Sequence, residues 1–401
     1  MQIPSTVPTG EPAAADSPGP WIPDSQPGSA AVSTTQGSLL HRWIPFEKGW
    51  RTLAKIYAGC VALTYLPALL VAQWSLRTDT GTALPFLCDW NFAFTFLVSF
   101  PMLVLLIVSD EHVLASALRT VWSSKVIYRD EADGIDFAAR WTRYFGRVNM
   151  WTQTLGLVLC AVLSWFTLQV YVWYSAHFWA APLGVVGPVG VVYIACITLL
   201  YAVITIFVAR SIAVACFLGG LVKLVKVRLL PFHPDGSGGL QPVGRLGLRN
   251  QYTLTVLGLN IAILGAVTAR YLATRGLERD LIVTAVFAYA VLGPIVFMGP
   301  LLPFRAAMRH SKERLMGELS ARLRIDFTRI RGEFPDNGIS AEDLETLQRL
   351  QKLGTMLEEL PVWPFDARTL RTFATAYVIP FVLPYLHKAV EASVALLGQK
   401  I

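Results

Sequence analysis

Six stretches of the chain, 56–74, 92–108, 151–174, 185–209, 252–269 and 281–302, are apolar and contain no Asp, Glu, Lys or Arg. About 20 apolar residues in a helix cross the hydrocarbon core of a bilayer, so each stretch predicts a membrane span. Trp74, Trp90, Trp151, Trp173 and Trp179 lie at or near the ends of these runs, as aromatic belts at the membrane–water boundary would place them. A further apolar run, 373–397, carries Pro380, Pro384, His387, Lys388 and Glu391; it reads either as a seventh, kinked span or as an amphipathic interfacial helix. The fourth run continues past Arg210 as "SIAVACFLGGLVKLVKVRLL". It predicts a helix that leaves the membrane and lies along its inner surface, with Lys223, Lys226 and Arg228 near lipid phosphates; one very long tilted span is the alternative.

A different periodicity follows. Over 304–333, Met308, Leu315, Leu319, Leu323 and Ile330 recur mainly at multiples of three to four residues, which predicts a helix about 45 Å long. "PDNGIS" (335–340) breaks it, and a second helix starts at the capping residue Ser340 with Asp343 in its first turn. Leu344, Leu347, Leu350, Leu353, Leu357 and Leu360 form its apolar stripe. Two such stripes predict an antiparallel hairpin, with self-association between subunits as the alternative. The fold class is therefore all-α: a polytopic helical membrane protein with six or seven membrane helices and a cytoplasmic helical hairpin.

Composition agrees. The 401 residues are 54% hydrophobic and only 15% charged, against roughly 25% charged in soluble domains. Segments 1–53, 110–150, 210–251 and 303–373 hold 27 Lys and Arg, and the alternate loops 74–90, 173–187 and 270–281 hold 4. The positive-inside rule puts the first set, with the N-terminus, in the cytoplasm of a cell whose inner membrane the chain spans. The net charge of +7 thus reports orientation rather than nucleic-acid binding, and no nucleic-acid partner is expected. Residues 1–40 form a Pro/Ser/Ala/Gly-rich tail that cannot offset the entropy of ordering, and no cleavable signal peptide is expected. The membrane domain covers 41–302, with cytoplasmic loops 110–150 and 210–251; the hairpin covers 303–372 and the last helix 373–401. The five cysteines lack metal or disulfide spacing and read as buried small hydrophobes.

The stretch with the most chemistry is "LLPFHPDGSGGL" (229–240). Its proline fixes one dihedral between two polar side chains, and its glycines permit positive φ and close backbone approach. Successive N–H groups there would form a nest for an anion, with His233, Asp235, Gly236, Gly238, Gly239, Arg228 and Arg245 as candidate ligand-binding residues. The alternative is a rigid turn, with Asp235 as its cap and His233 as a surface imidazole. The apolar segment before it and "GSGGL" after it exclude a J-domain, and no G-x-x-x-x-G-K-[ST] is present. His233 and Asp235 are too few to define a metal site. No catalytic constellation emerges, and the sequence specifies no cofactor. The six spans carry no ionisable group of the kind an ion-coupled transporter uses; Asn260, near the middle of its span, reads as a bond to a neighbouring helix.

"HPDGSGGL" (233–240), "GPLLPFRAAMRHSKERL" (299–315) and "WPFDARTL" (363–370) together resemble a loosely defined set of bacterial multi-pass inner-membrane proteins that share a cytoplasmic H-P-D-x-x-G-G-L loop. The resemblance implies a common architecture over roughly 150–395 and no particular activity. The expected function is a channel, transport or signal-relay component whose loop binds an anionic ligand or partner. The alternatives are a membrane-embedded enzyme acting on a lipid or phosphate substrate, with His233 and Asp235 at the inner interface, and a membrane-disrupting defence effector. The expected partners are anionic lipid at the cytoplasmic face and further copies of the chain.

Overall fold

The computed structural model describes residues 38, 44, 49–75, 85–124, 126–128, 134–174, 177–182, 187–227, 233, 235, 237–271, 277–337, 341–360, 362–365, 370–375, 377–378 and 382. The predicted N-terminal tail lies almost wholly outside these residues, as does most of the run 373–397 whose spanning was left open.

The first span is two helices, α1 (Trp50–Leu63) and α2 (Tyr65–Trp74). They meet at Thr64, whose hydroxyl bonds back to the Cys60 carbonyl at 2.8 Å, and Pro67 follows in the first turn of α2. The second span joins α3 (Trp90–Phe94), a π turn (Thr95–Ser99) and α4 (Phe100–Ser123). Pro101 has no N–H to give the preceding turn, and the widened π turn lies just before it. Then follow α5 (Gly134–Tyr174), α6 (Pro188–Leu224), α7 (Gln241–Tyr271) and α8 (Leu277–Met298). The hairpin is α9 (Leu302–Asn337) and α10 (Ala341–Glu358). Two short antiparallel ladders complete the described structure: β1 (Ile127–Tyr128) with β4 (Lys226–Val227), and β2 (His177–Phe178) with β3 (Ala181–Pro182).

Five helical segments are long and apolar enough to cross a membrane: Trp50–Trp74, Trp90–Ser123, Ala139–Gln169, Pro188–Leu224 and Gln241–Val267. A sixth qualifies when Val283–Met298 and Leu302–Arg329, bent by 47°, are taken together. The bend falls at Gly299–Leu301, between Pro294 and Pro303, where missing N–H donors weaken the ladder. The chain is thus an all-α multi-pass membrane protein.

The fourth run corrects an expectation. Its continuation is not a separate surface-lying piece: α6 runs unbroken for 37 residues, about 55 Å, from Pro188 to Leu224. Ala213, Phe217, Leu218 and Leu221 are buried, and Trp141 of α5 packs so closely on Gly220 that a Cβ there would lie 2.6 Å from the indole. Packing against α5 holds one face of this extension. Over the membrane stretch, α5 in turn touches the bundle along a narrow line of small residues: Gly156, Cys160 and Ser164 are buried, while Leu155, Val158, Leu159, Val162, Leu163 and Trp165 around them are exposed.

The hairpin pairs as expected. Arg329 meets Asp343 at 3.1 Å near its tip, and Lys312 Nζ donates to the carbonyls of Glu358 (2.6 Å) and Leu360 (3.1 Å) at its base. Helix α9 continues through Pro335 to Asn337, so the break falls at 338–340, outside the described residues along with Ser340. Leu347, Leu350 and Leu357 are half-buried and Leu360 is buried, whereas Leu344 and Leu353 remain exposed.

Candidate functional site

The turn before α7 is organised by Asp235. Its Oδ1 accepts from the backbone N–H of Ser237 (2.9 Å) and Gly239 (3.0 Å), and its Oδ2 from that of Gln241 (3.2 Å) at the helix start. Burial pushes the carboxyl up, but these three N–H bonds and His233 outweigh it and hold the group below the ordinary carboxylate range. Asp235 therefore ties two N–H groups of the turn to the first N–H of α7, as an extended cap. Gly238 (φ 64°) and Gly239 (φ 91°) adopt the left-handed region, and a Cβ on Gly239 would lie 2.2 Å from Val126 Cγ2. The turn is thus clamped onto the chain beside β1.

The structure brings His233 and Asp235 together, with Nδ1 2.9 Å from Oδ1. The Asp235 N–H also approaches Nδ1, at 3.4 Å. One nitrogen cannot both donate and accept, and the carboxylate is nearer and charged, so we assign the proton to Nδ1. Gly238 and Gly239 share the turn, and their N–H groups lie in a loop whose anion-facing donors Asp235 already occupies. Arg245 stands one turn into α7 and donates to Gln241 Oε1 at 3.2 Å. Arg228 and Gly236 lie outside the described residues. Ser237 Oγ is buried without a hydrogen-bond partner among the described residues.

A second polar site was not read from the sequence. Asp110 of α4 receives Arg249 of α7 (Nη1 to Oδ1, 2.8 Å) and faces Arg210 of α6 (Nη2 to Oδ2, 3.6 Å). Arg249 Nη2 also donates to Ser109 Oγ at 2.7 Å and to the Leu106 carbonyl. The Arg210 side chain is 3% exposed, so its charge is removed from water and needs this company. A cavity of about 30 Å³ adjoins the group, bounded also by Phe207, Ser211, Asn250 and Pro300. It is polar-sided and large enough for a water molecule. The signal was present: Asp110, Arg210 and Arg249 each stand within three residues of an end of a predicted span, all on the side assigned to the cytoplasm.

The hairpin return forms a third contact set. A Cβ on Gly244 would lie 2.1 Å from the Pro364 carbonyl, so Pro364 rests directly on α7. The Arg305 guanidinium lies 4.2 Å from the Trp363 ring centroid, and Phe297 stacks on Phe373 at 3.8 Å and 9°. Gln251 Nε2 donates to the Thr372 carbonyl at 2.9 Å, and Asn250 Nδ2 to that of Val296 at 3.2 Å. Parts of all three motifs of the sequence resemblance, or their immediate neighbours, thus converge on one end of the bundle. The first turns of α7 are the common element: its cap is Asp235, Gly244 seats the return, Gly247 seats Leu301 of the elbow, and Arg249 holds Asp110.

No protein-family model, curated protein or solved structure matches the chain. Among the described residues no group of three or more His, Cys, Asp or Glu could hold a metal ion.

Proposed function

We propose that the protein is a non-enzymatic component of a bacterial inner membrane, a channel, transport or signal-relay subunit, in which a cytoplasmic hairpin acts on the inner ends of the spans through α7. The observation that carries this reading is the convergence on the first turns of α7. Gly244, Arg249 and Gln251 lie within about 10 Å along the helix and bind, respectively, the hairpin return, the α4–α6 ion group and the chain entering the last apolar run. A partner that moved the hairpin would act on Trp363–Pro364, and through them on Arg249. The turn at 233–240 holds the start of α7 in register and presents His233 as the imidazole a ligand or partner would meet.

Gly244→Ala tests it. The added methyl meets the Pro364 carbonyl and displaces the return while leaving the apolar faces of the spans untouched. Reconstituted in vesicles, the variant is expected to insert normally but to change ion flux at least tenfold relative to the unmodified protein. Unchanged flux with a demonstrably displaced return would sink the coupling. A second reading, a membrane-surface enzyme acting on a phosphate or lipid, draws support from the His233–Asp235 pair, which has the geometry of a base and its orienting carboxylate. Product formation from labelled lipid, abolished by His233→Gln, would favour it.

A further inference from the structure

Helix α5 carries three exposed arginines on one face. Arg140, Arg143 and Arg147 are exposed and form no ion pair among the described residues; Arg143 only bends back to the Ala139 carbonyl, at 3.3 Å. Their spacing, i, i+3 and i+7, sets them on one helical face. The other side of the same turns is committed to the protein: Phe145 is buried, and Trp141 packs edge-on to Phe217 of α6 with ring centroids 5.3 Å apart. The arginine face continues directly into Trp151, 56% exposed, and then into exposed Val158, Val162 and Trp165.

The lengths match a bilayer. Trp151 and Trp173 are about 33 Å apart along α5, close to the thickness of a hydrocarbon core of about 30 Å. With Trp151 in one aromatic belt, Arg147 lies about 6 Å outside it, Arg143 about 12 Å and Arg140 about 17 Å. The headgroup layer adds about 5–7 Å on each side, so Arg147 stands at its depth, Arg143 reaches back to it with its side chain, and Arg140 extends the positive charge just outside it.

We propose that this stripe, Arg140–Arg143–Arg147 over Trp151, is a binding site for anionic phospholipid. The guanidiniums take the headgroup phosphate, and the exposed apolar face below Trp151 takes the acyl chains. The site lies on α5 and is distinct from the one foreseen around Lys223, Lys226 and Arg228. The inference rests on the membrane reading and on this end of α5 facing the cytoplasm. The ligand is assigned by charge complementarity at the right depth and by the continuity of the cationic and apolar stripes. An arginine beside an anionic surface contributes about a fivefold preference.

The test uses the full chain reconstituted in phosphatidylcholine vesicles that contain a minor fraction of acyl-brominated phosphatidylglycerol or, separately, acyl-brominated phosphatidylcholine. Bromine quenches nearby tryptophan, and subtracting the Trp151→Phe protein isolates the Trp151 signal. Anionic lipid is expected to quench Trp151 at a severalfold lower mole fraction than neutral lipid. High salt and the R140Q/R143Q/R147Q protein are expected to erase that difference, and the triple Lys protein to keep part of it. Equal quenching by the two lipids in the unmodified protein overturns the proposal and leaves the stripe to an acidic protein segment. A preference that survives the triple Gln change overturns it as well. Absence of quenching by either lipid would instead show that Trp151 does not face a bilayer, which is failure of the membrane reading itself.

Discussion

Two aspartates at opposite ends of the bundle do the same job under opposite electrostatic conditions. Asp89 caps α3 by accepting the Phe92 N–H at 3.0 Å, and its second oxygen accepts from Trp179 Nε1 at 2.9 Å. It stands just before the second span, inside a cluster where Phe86, Phe92, Trp179 and Tyr193 are all buried. Burial raises its carboxyl above the ordinary value, and the bonds from Trp179, Phe92 and Asn91 only partly offset this. Asp235 caps α7 from a half-buried turn and is held below the ordinary value. Side-chain chemistry is identical, so the difference lies in the ratio of donors to desolvation. Three backbone N–H groups and an imidazole outweigh modest burial, whereas complete burial outweighs an indole and two amides.

The largest effect is expected from breaking the buried cap. Trp179→Ala removes both the ring from the aromatic cluster and the donor to Asp89, and should cost about 4 kcal/mol in denaturant titrations of the detergent-solubilised protein. Trp179→Phe keeps most of the ring and removes the donor, and should cost about 2 kcal/mol. If Trp179→Phe costs nothing, the indole N–H is not what makes the buried carboxylate tolerable. At the other end Asp235→Ala should cost about 2 kcal/mol, because several N–H groups lose one acceptor, and Asp235→Asn about half that.

Acid separates the two caps by sign. The folded value of Asp235 is depressed, so its contribution is fully present above about pH 4 and is lost as the pH falls through the depressed value. The folded value of Asp89 is raised, so the folded state takes up the proton first and that end gains stability as the pH falls toward the ordinary value. Hydrogen-exchange protection of Ser237, Gly239 and Gln241, corrected for the intrinsic rate, should drop as the pH falls below the ordinary carboxylate value, while that of Phe92 holds. The smallest effect should come from His233→Ala, below about 1 kcal/mol, since its pairing with Asp235 is partly solvated. A larger loss would mean that the imidazole, not the backbone, sets the Asp235 cap.

Much of the architecture was legible in charge-free runs and leucine spacing, because both are local patterns. The capping role of Asp235 was legible for the same reason, as its partners lie two, four and six residues away. Asp89 with Trp179 was not, since the two are 90 residues apart and only the packing of the second and fourth spans brings them together. The ion group was missed because each charge, taken singly, looks like the end of a span. Apolar continuity past Arg210 has two explanations in sequence, a surface-lying helix or one very long one, and the unbroken α6 with Trp141 over Gly220 agrees with the second. Likewise nothing near "WPFDARTL" in sequence names Gly244 as the seat of Pro364.

The order in which the ion group is synthesised sets a constraint on assembly. Asp110 emerges about 100 residues before Arg210 and 139 before Arg249. At roughly 5–20 residues per second, α4 waits about 5–30 s for the two cations that meet the carboxylate near its middle. Arg210 of α6 becomes available to Asp110 first, and Arg249 of α7 follows. The later cation, Arg249, therefore completes the group, and a chain truncated before it would keep only the longer Arg210–Asp110 pair between the second and fourth spans.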